Sequence, residues 1–162
     1  MVKMHIALFQ PDIPQNTGTM LRMAACLDVE AHIIEPAGFP VSDRAFRRAG
    51  MDYLDVVSIR RHVSWEHFEA WRAEAGLRLV LASTRASVPY TEFSFKPDDI
   101  LMVGRESAGV PDDVHERADA RIIIPMRPSL RSINVAVALA MVLGEALRQT
   151  GRFSTLAPTS ST

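Results

Sequence analysis

Cysteine is nearly absent from this 162-residue chain, and its single example, Cys26, cannot form an internal disulfide. Apolar runs long enough to cross a bilayer are missing as well. The longest, Val135 to Gly144, has ten residues, where a transmembrane helix needs about 20. No charged segment followed by an apolar one opens the sequence, so nothing indicates secretion. We therefore expect a cytoplasmic protein without a membrane segment.

Lysine occurs only at Lys3 and Lys96, so almost all of the positive charge is carried by arginine. The planar guanidinium group suits phosphates and carboxylates, although genomic base composition would produce the same bias. The net charge of −1 gives no overall field that favours nucleic acid. Histidines and cysteine with the spacing of metal ligands are also lacking, since His62 and His67 do not share a helix face. We predict no metal.

The composition is that of a folded protein, with 48% hydrophobic and 23% charged residues. A compact domain of this length buries about 70% of the surface of its unfolded chain. The apolar content also hints at an oligomer, because it exceeds what a single small core requires.

Short apolar runs alternate with segments of helical period, which indicates an α/β fold with a largely parallel sheet. Strands are predicted at 4–9, 31–35, 55–59, 78–83, 99–103 and 120–124. Helices are predicted from a cap at Asn16 or Thr17 to Leu27, at 42–49, from a cap at Ser64 to residue 75, and from Ser132 or Asn134 to residue 149. We assign residues 1–150 to one domain and residues 151–162 to a flexible tail.

Ligands of open α/β sheets bind at the carboxyl ends of the strands, so the loops that follow strands are the places to search. The loop from Gly104 to Pro111 has the glycine spacing of a phosphate-binding loop. Val110 and Pro111 stand where a nucleoside triphosphatase needs lysine and a hydroxyl, which excludes that class. No G-x-G-x-x-G run supports a nicotinamide or flavin enzyme. What remains is either a loop that approaches a ligand with its backbone or a tight turn without one.

Two further loops carry polar groups next to helix starts. Residues 11–18, which include Asn16, precede a helix that places Arg22 one or two turns beyond Asn16. Residues 125–131 lead into a helix that begins near Ser132 and Asn134. Free N–H groups and arginines make such a helix start attractive to anions. An ordinary capped helix with solvated arginines is the alternative reading.

Taken together, three stretches resemble the three motifs of the SPOUT methyltransferases. They are Ile13-Pro-Gln-Asn-Thr-Gly18 with Arg22, Gly104-Arg-Glu-Ser-Ala-Gly-Val-Pro111, and Ile124-Pro-Met126 followed by Arg131-Ser-Ile-Asn134. Two more stretches, Ile33 to Phe39 and Arg47 to Tyr53, are similar to the branch that methylates the ribose of the tRNA wobble nucleotide. The likeness runs from about residue 4 to residue 149, and three ordered motifs together are highly specific.

The resemblance implies a parallel sheet with helices on both faces and a deep trefoil knot in the C-terminal segment, an exception to ordinary topology. It implies a homodimer, with S-adenosylmethionine as cofactor and S-adenosylhomocysteine as product. The reaction would methylate the 2′-hydroxyl of C34 or of a modified U34. The anticodon stem-loop would then be the bound part of the tRNA, gripped through Arg44, Arg47, Arg48, Arg60 and Arg61.

Site residues follow from the same resemblance. The expected catalytic residues are Arg22, Asn16, Ser132 and Asn134. The expected RNA contacts are Arg22, Arg131, Arg47 and Arg48. The expected cofactor residues are Ala82, Ser83, Thr84, Gly104, Glu106, Gly109, Ile124, Met126 and Ser132.

Two other functions stay open at this stage. One is a catalytically silent dimer that binds RNA or a nucleotide, and the other is an enzyme of the same class that methylates another RNA site. The chain also departs from the resemblance at Ala136, Val137 and Gly144, where relatives often carry polar residues and a tyrosine. Target choice or dimer strength would differ if those positions contact RNA or a partner.

Overall fold

The computed structural model describes residues 2–130 and 132–156, and within these ranges six strands form one sheet. The strands lie in the order β3-β2-β1-β5-β4-β6, and every pairing between them is parallel. The predicted α/β class with a parallel sheet is therefore confirmed. The strand bounds are β1 His5–Phe9, β2 Glu30–Ile34, β3 Ile59–His62, β4 Leu79–Ala82, β5 Ile100–Val103 and β6 Ala120–Ile122.

Helices connect these strands and cover the sheet. Their bounds are α1 Pro14–Leu27, α2 Asp43–Arg48, α3 Trp65–Ala75, α4 Asp112–Arg117, α5 Val135–Gln149 and α6 Phe153–Leu156. Among the described residues, no helix is both long enough and apolar enough to cross a membrane.

The core is divided by the sheet, as the alternation of side chains along β1 shows. Ile6 and Leu8 belong to a buried cluster shared with α1 and α5, whereas Ala7 and Phe9 belong to a second cluster shared with α3 and α4. Successive residues of a strand point to opposite faces. Helices therefore cover both faces, as predicted.

The strand order reverses between β1 and β5, so the loops after these two strands diverge from neighbouring positions at one edge. The loops after β4 and β6 end at the same edge, because all of these strands are parallel. From β6 at the side of the sheet the chain returns to the middle, where α5 packs against α1 and β5. This topology brings four loops and the start of α5 together, and such reversal points are the usual ligand sites of open sheets.

Two predicted boundaries are wrong. The helix predicted to be capped by Asn16 or Thr17 begins earlier, at Pro14, without a side-chain cap, because proline already has helical φ and needs no N–H at that position. The third strand lies at Ile59–His62 rather than at 55–59. It is an edge strand, so its two exposed arginines did not give the apolar pattern by which buried strands are found.

The flexible tail predicted from residue 151 also needs correction. Gly151 ends α5 with a φ of 71°, and a short helix, α6, follows. The buried side chain of Arg152 donates a hydrogen bond of 2.6 Å to the carbonyl oxygen of Val2, which holds this segment against the start of the chain. Residues 157–162 lie outside the described residues.

Three histidines form a hydrogen-bonded row across β1, β2 and β3, on the face covered by α3. His5 Nδ1 lies 2.9 Å from His32 Nε2, and His32 Nδ1 lies 3.0 Å from His62 Nε2. All three side chains are buried, in contact with the ring of Trp71. Burial lowers the pKa of His32 to about 2 and that of His62 to about 4. We call these residues the histidine row.

Glu30 approaches the row at His5, where its carboxylate oxygen lies 3.2 Å from the same Nδ1 atom that faces His32. His5, Glu30 and His32 place possible metal-ligating atoms within 4.8 Å of one another. The sequence did not indicate this group, because neighbouring strands rather than local spacing assemble it. Hydrogen bonding between the rings explains the arrangement, and the absence of a metal stays a prediction.

The histidine row should make the protein sensitive to acid between pH 7 and pH 5. Unfolded histidines take up protons near pH 6.5, whereas the lowered pKa values of His32 and His62 keep the folded rings neutral. Stability is therefore lost as the pH falls through 6.5, by about 2 kcal/mol per histidine between pH 7 and pH 5. Urea denaturation at the two pH values measures this loss.

A matched pair of variants isolates the cause. His62→Gln should reduce the difference between the two pH values, whatever its own effect on stability, and His67→Gln, at an exposed position of α3, should leave it unchanged. An undiminished pH dependence in His62→Gln would contradict the explanation.

Candidate active site

A cavity of about 840 Å³ opens at the carboxyl edge of the sheet. Its walls come from α1 near Asn16, from the loops after β4, β5 and β6, and from the first residues of α5. The volume lies within the range of pockets that bury a ligand of cofactor size. This is the place that the strand order predicts for a ligand.

All of the predicted cofactor residues line this one cavity, although they come from four separate segments. Three of the four predicted catalytic residues line it too, and these are Asn16, Asn134 and Ser132, the last of which is also a predicted cofactor residue. Arg22, Arg47 and Arg48 do not line it, and Arg131 lies outside the described residues. The cofactor residues concerned are Ala82, Ser83, Thr84, Gly104, Glu106, Gly109, Ile124, Met126 and Ser132.

Asn134 joins the start of α5 to the start of α1. Its Oδ1 accepts hydrogen bonds from the backbone N–H groups of Ala136, at 2.8 Å, and Val137, at 3.2 Å, which caps α5 as predicted. Its Nδ2 donates to Asn16 Oδ1 at 3.0 Å. Most of the bonding capacity of Asn134 is thus used in holding structure. The amide nitrogen of Asn16 makes no recorded hydrogen bond within the described ranges and can serve a ligand.

The loop after β5 closes on itself through two glycines. Arg105 N donates to Gly109 O at 3.0 Å, and Gly109 N donates to Arg105 O at 2.9 Å. A Cβ atom on Gly104 would lie 2.6 Å from the carbonyl carbon of Gly109, and Gly109 has a φ of 65°. Glycine is therefore required at both positions by the loop itself. The loop is therefore a tight turn that also lines the cavity, so the two alternatives left open by the sequence do not exclude each other.

Two carboxyl groups meet beside this loop. Asp12 N donates to Glu106 Oε2 and Glu106 N donates to Asp12 Oδ1, each at 3.3 Å, while Ser107 Oγ donates to Asp12 Oδ2 at 2.5 Å. Burial, followed by the hydrogen bond with Asp12, raises the pKa of Glu106. The hydrogen bonds with Glu106 and Ser107 lower the pKa of Asp12. When the two carboxyl groups share a single proton, it therefore resides on Glu106 rather than on Asp12.

The other oxygen of Glu106, Oε1, is buried and has no hydrogen-bond partner among the described residues. A buried polar atom without a partner is costly, and Glu106 lines the cavity. A ligand with a hydroxyl or ammonium group would satisfy it. Asp12 was missed by the sequence reasoning, and its only signal was its place in the loop directly after β1.

Arg22 lies on a different side of α1 from Asn16. The two residues are six positions apart, which is roughly 240° around a helix of 3.6 residues per turn. Arg22 is exposed, and its guanidinium carbon lies 5.2 Å from the ring centre of Tyr53. In the single chain Arg22 is therefore a solvated arginine, which was one of the two alternatives left open by the sequence.

The two other predicted RNA-binding arginines lie on α2. Arg47 is exposed and pairs with Asp55 at 2.8 Å. Arg48 lines a second depression, together with Arg44. The predicted substrate arginines are thus spread over the surface next to α1 rather than gathered in the cavity.

Comparison with known proteins agrees with this architecture. The model of the SpoU rRNA Methylase family matches residues 3–144. A tRNA (cytidine(34)-2'-O)-methyltransferase of Beijerinckia indica subsp. indica is 73% identical over 146 residues, which are 90% of this chain and 91% of that protein.

Two solved structures extend the likeness to the fold. One, described as giving structural insights into the 2-OH methylation of C/U34 on tRNA, has a TM-score of 0.83 and 38% identity, and the match covers 91% of this chain and 96% of that one. The SpoU methyltransferase AviRb from Streptomyces viridochromogenes, in complex with the cofactor AdoMet, has a TM-score of 0.79 and 26% identity over 94% of this chain and 61% of that one. The parallel sheet, the loops at its carboxyl edge and the sequence itself lead to one conclusion: this chain belongs to the SpoU rRNA Methylase family.

Proposed function

We propose that this protein transfers a methyl group from S-adenosylmethionine to the ribose 2′-hydroxyl of nucleotide 34 of tRNA, a cytidine or a modified uridine. The observation that carries the proposal is the cavity at the carboxyl edge, which gathers residues of all three methyltransferase motifs. The 73% identical relative named for this reaction supports the choice of substrate. A cytoplasmic location suits a tRNA substrate.

The residues of the cavity fit S-adenosylmethionine. The cavity volume of about 840 Å³ is large enough for the cofactor. The unpartnered Oε1 of Glu106 suits a ribose hydroxyl or the ammonium group of the cofactor. Apolar walls at Ile124 and Met126 suit adenine. When bound, the cofactor supplies an activated methyl group, and S-adenosylhomocysteine is the product.

The protein's own contribution to transfer is mainly positioning. The 2′-hydroxyl must lie in line with the methyl group, and fixed geometry of this kind can supply several kcal/mol of rate acceleration. Ser132 and the amide nitrogen of Asn16 are placed to orient the hydroxyl, while Asn134 holds Asn16 in position. The structure thus favours Asn134 as a positioning residue over Asn134 as a direct contact.

In this proposal Arg22, which lies outside the cavity of its own chain, binds an RNA phosphate through its charge. A guanidinium keeps its proton at neutral pH, which makes it a poor general base. Arg131, Arg47 and Arg48 add contacts to the backbone of the anticodon stem-loop.

A homodimer completes the proposal. Leu130, Ile133, Val137 and Met141 are exposed apolar residues before and along α5, and small residues of the same helix allow another backbone to approach. All three departures, Ala136, Val137 and Gly144, lie on α5, where Ala136 is buried and Val137 is exposed. Family membership further implies the trefoil knot, which would involve the return of the chain from β6 to α5.

Gly104→Ala should weaken cofactor binding at least tenfold, because its Cβ atom would lie 2.6 Å from the Gly109 backbone and would force the loop to move. Isothermal titration with S-adenosylhomocysteine measures the affinity. Gly144→Ala is the control, since a Cβ atom there meets nothing within 4 Å. Equal affinities in the two variants would contradict the assigned role of the loop.

Arg22→Lys should retain methylation within about tenfold of the unmodified protein, because lysine keeps the charge but loses the planar fork. Arg22→Gln should lose far more of the methylation activity, mainly because the KM for tRNA rises. Steady-state kinetics with tRNA as the varied substrate separates KM from kcat. Loss of methylation in Arg22→Lys with undiminished RNA binding would instead indicate a geometric or proton-transfer role.

Deleting the gene should remove one 2′-O-methylated nucleoside from position 34 of bulk tRNA, and re-expression should restore it. Mass spectrometry of digested tRNA detects the loss. Unchanged methylation at position 34 would refute the assigned target. A missing methyl group at another RNA position would support the second alternative, and an inactive purified protein that still binds RNA would support the silent dimer.

A further inference from the structure

A second depression, of about 690 Å³, lies between α1 and α2 and has no role in the chemistry described so far. Its apolar surface includes Phe39, Pro40, Phe46 and Met51. Phe46 and Met51 are buried, whereas Phe39 is only partly covered. We call this depression the α2 groove.

Two arginines border the α2 groove. Arg44 and Arg48 are four residues apart on α2 and therefore lie on the same side of the helix. Neither has a recorded ion pair within the described ranges, although other arginines nearby do: Arg47 pairs with Asp55 at 2.8 Å, and Arg61 lies 3.8 Å from Asp43. The groove residues include no acidic side chain. Its charge is complementary to a phosphate backbone.

The α2 groove adjoins the cofactor cavity through the first turns of α1. Pro14 and Gly18 line the groove, whereas Asn16 lines the cavity. Pro14 and Gly18 are four residues apart and share a side of the helix, while Asn16 is roughly 160° away from Pro14. For one ribose to lie beside Asn16 while a neighbouring nucleotide reaches the groove, the RNA strand would have to pass around the first turns of α1.

An apolar surface with an aromatic ring and an arginine border is the usual chemistry of a site for an unstacked base. Phe39, half-buried in the wall of the groove, would be the ring that stacks on a base, and Arg44 and Arg48 would contact its phosphates. The groove is also lined by residues of both stretches that resemble the branch acting on the wobble nucleotide. Phe39 ends the first stretch, and Arg48 and Met51 belong to the second.

We infer that the α2 groove holds the base of a nucleotide that flanks the methylated one, with Phe39 against the base and with Arg44 and Arg48 on its phosphates. The inference rests on the proposed function, because the RNA must place a ribose in the cavity. It makes Phe39 a specificity-determining residue and gives Arg44, an expected contact of the stem-loop, a particular nucleotide to bind.

Equilibrium binding tests the inference independently of catalysis. The probes are three fluorescently labelled anticodon stem-loops: one intact, one with an abasic residue at position 33 and one with an abasic residue at position 35. One of the abasic probes should bind the unmodified protein about tenfold more weakly, as expected for the loss of one stacked base. Phe39→Leu should bind the intact probe about tenfold more weakly and should lose nothing further with that abasic probe. Phe39→Trp should bind the intact probe normally.

Controls exclude a merely structural effect. Phe39→Leu should bind S-adenosylhomocysteine with unchanged affinity, and Arg117→Gln, an exposed position on α4, should bind every probe normally. The double variant Arg44→Gln with Arg48→Gln should weaken all three probes and reduce the salt dependence of binding.

Three outcomes would overturn the inference. The first is that the losses of affinity caused by Phe39→Leu and by the abasic residue add together. The second is that both abasic probes bind with full affinity. The third is a change of oligomeric state in Phe39→Leu, which would make the groove a contact between copies of the chain. The experiment measures binding and not methylation. A stem-loop that binds through the groove but is never methylated would therefore refute the proposed function without refuting the inference about the groove.

Discussion

The hydrogen bond between Asn134 and Asn16 fixes one side of the cavity. It joins residues 118 positions apart, and the same side chain caps α5. The buried packing of α1 against α5 sets the relative position of the two helices, and this amide group connects their first turns. Without this link the helices and the loops after β4, β5 and β6 would still meet at the sheet edge, but Asn134 would no longer hold the side chain of Asn16. The geometry of the cavity is thus a product of the complete fold rather than of any one motif.

The α/β class and the parallel sheet could be predicted from the sequence, and the residues that the resemblance suggested for the cofactor all line one cavity. Buried parallel strands give unbroken apolar runs, and glycine loops follow them at the edge where ligands bind. Asn134, one of two residues predicted to cap α5, is the cap that the structure shows. It could be predicted because capping depends on local sequence. The helix cap at Asn16 failed because Pro14, two residues earlier, already fixes the start of α1.

Other features could not be predicted, because distant segments create them. Asp12 gains its role only from the approach of Glu106, 94 positions away. The α2 groove needs α1, α2 and the loop at Phe39 to be packed together before it exists. The position of Arg22 was ambiguous for a similar reason: the sequence placed it on the right helix, but the side that it faces depends on where that helix begins and what it packs against.

The histidine row has a consequence for how this half of the sheet can be observed. In a neutral imidazole one ring nitrogen donates and the other accepts, so the choice of tautomer at His62 determines the choice at His32 and then at His5. The three rings form one directional chain, which Glu30 approaches at His5 Nδ1. A slip of β3 against β2 would be recorded by all three rings together. Nitrogen chemical shifts of these side chains would therefore report on the pairing of β1 with β2 and β3, two strands that contribute no residue to the cavity.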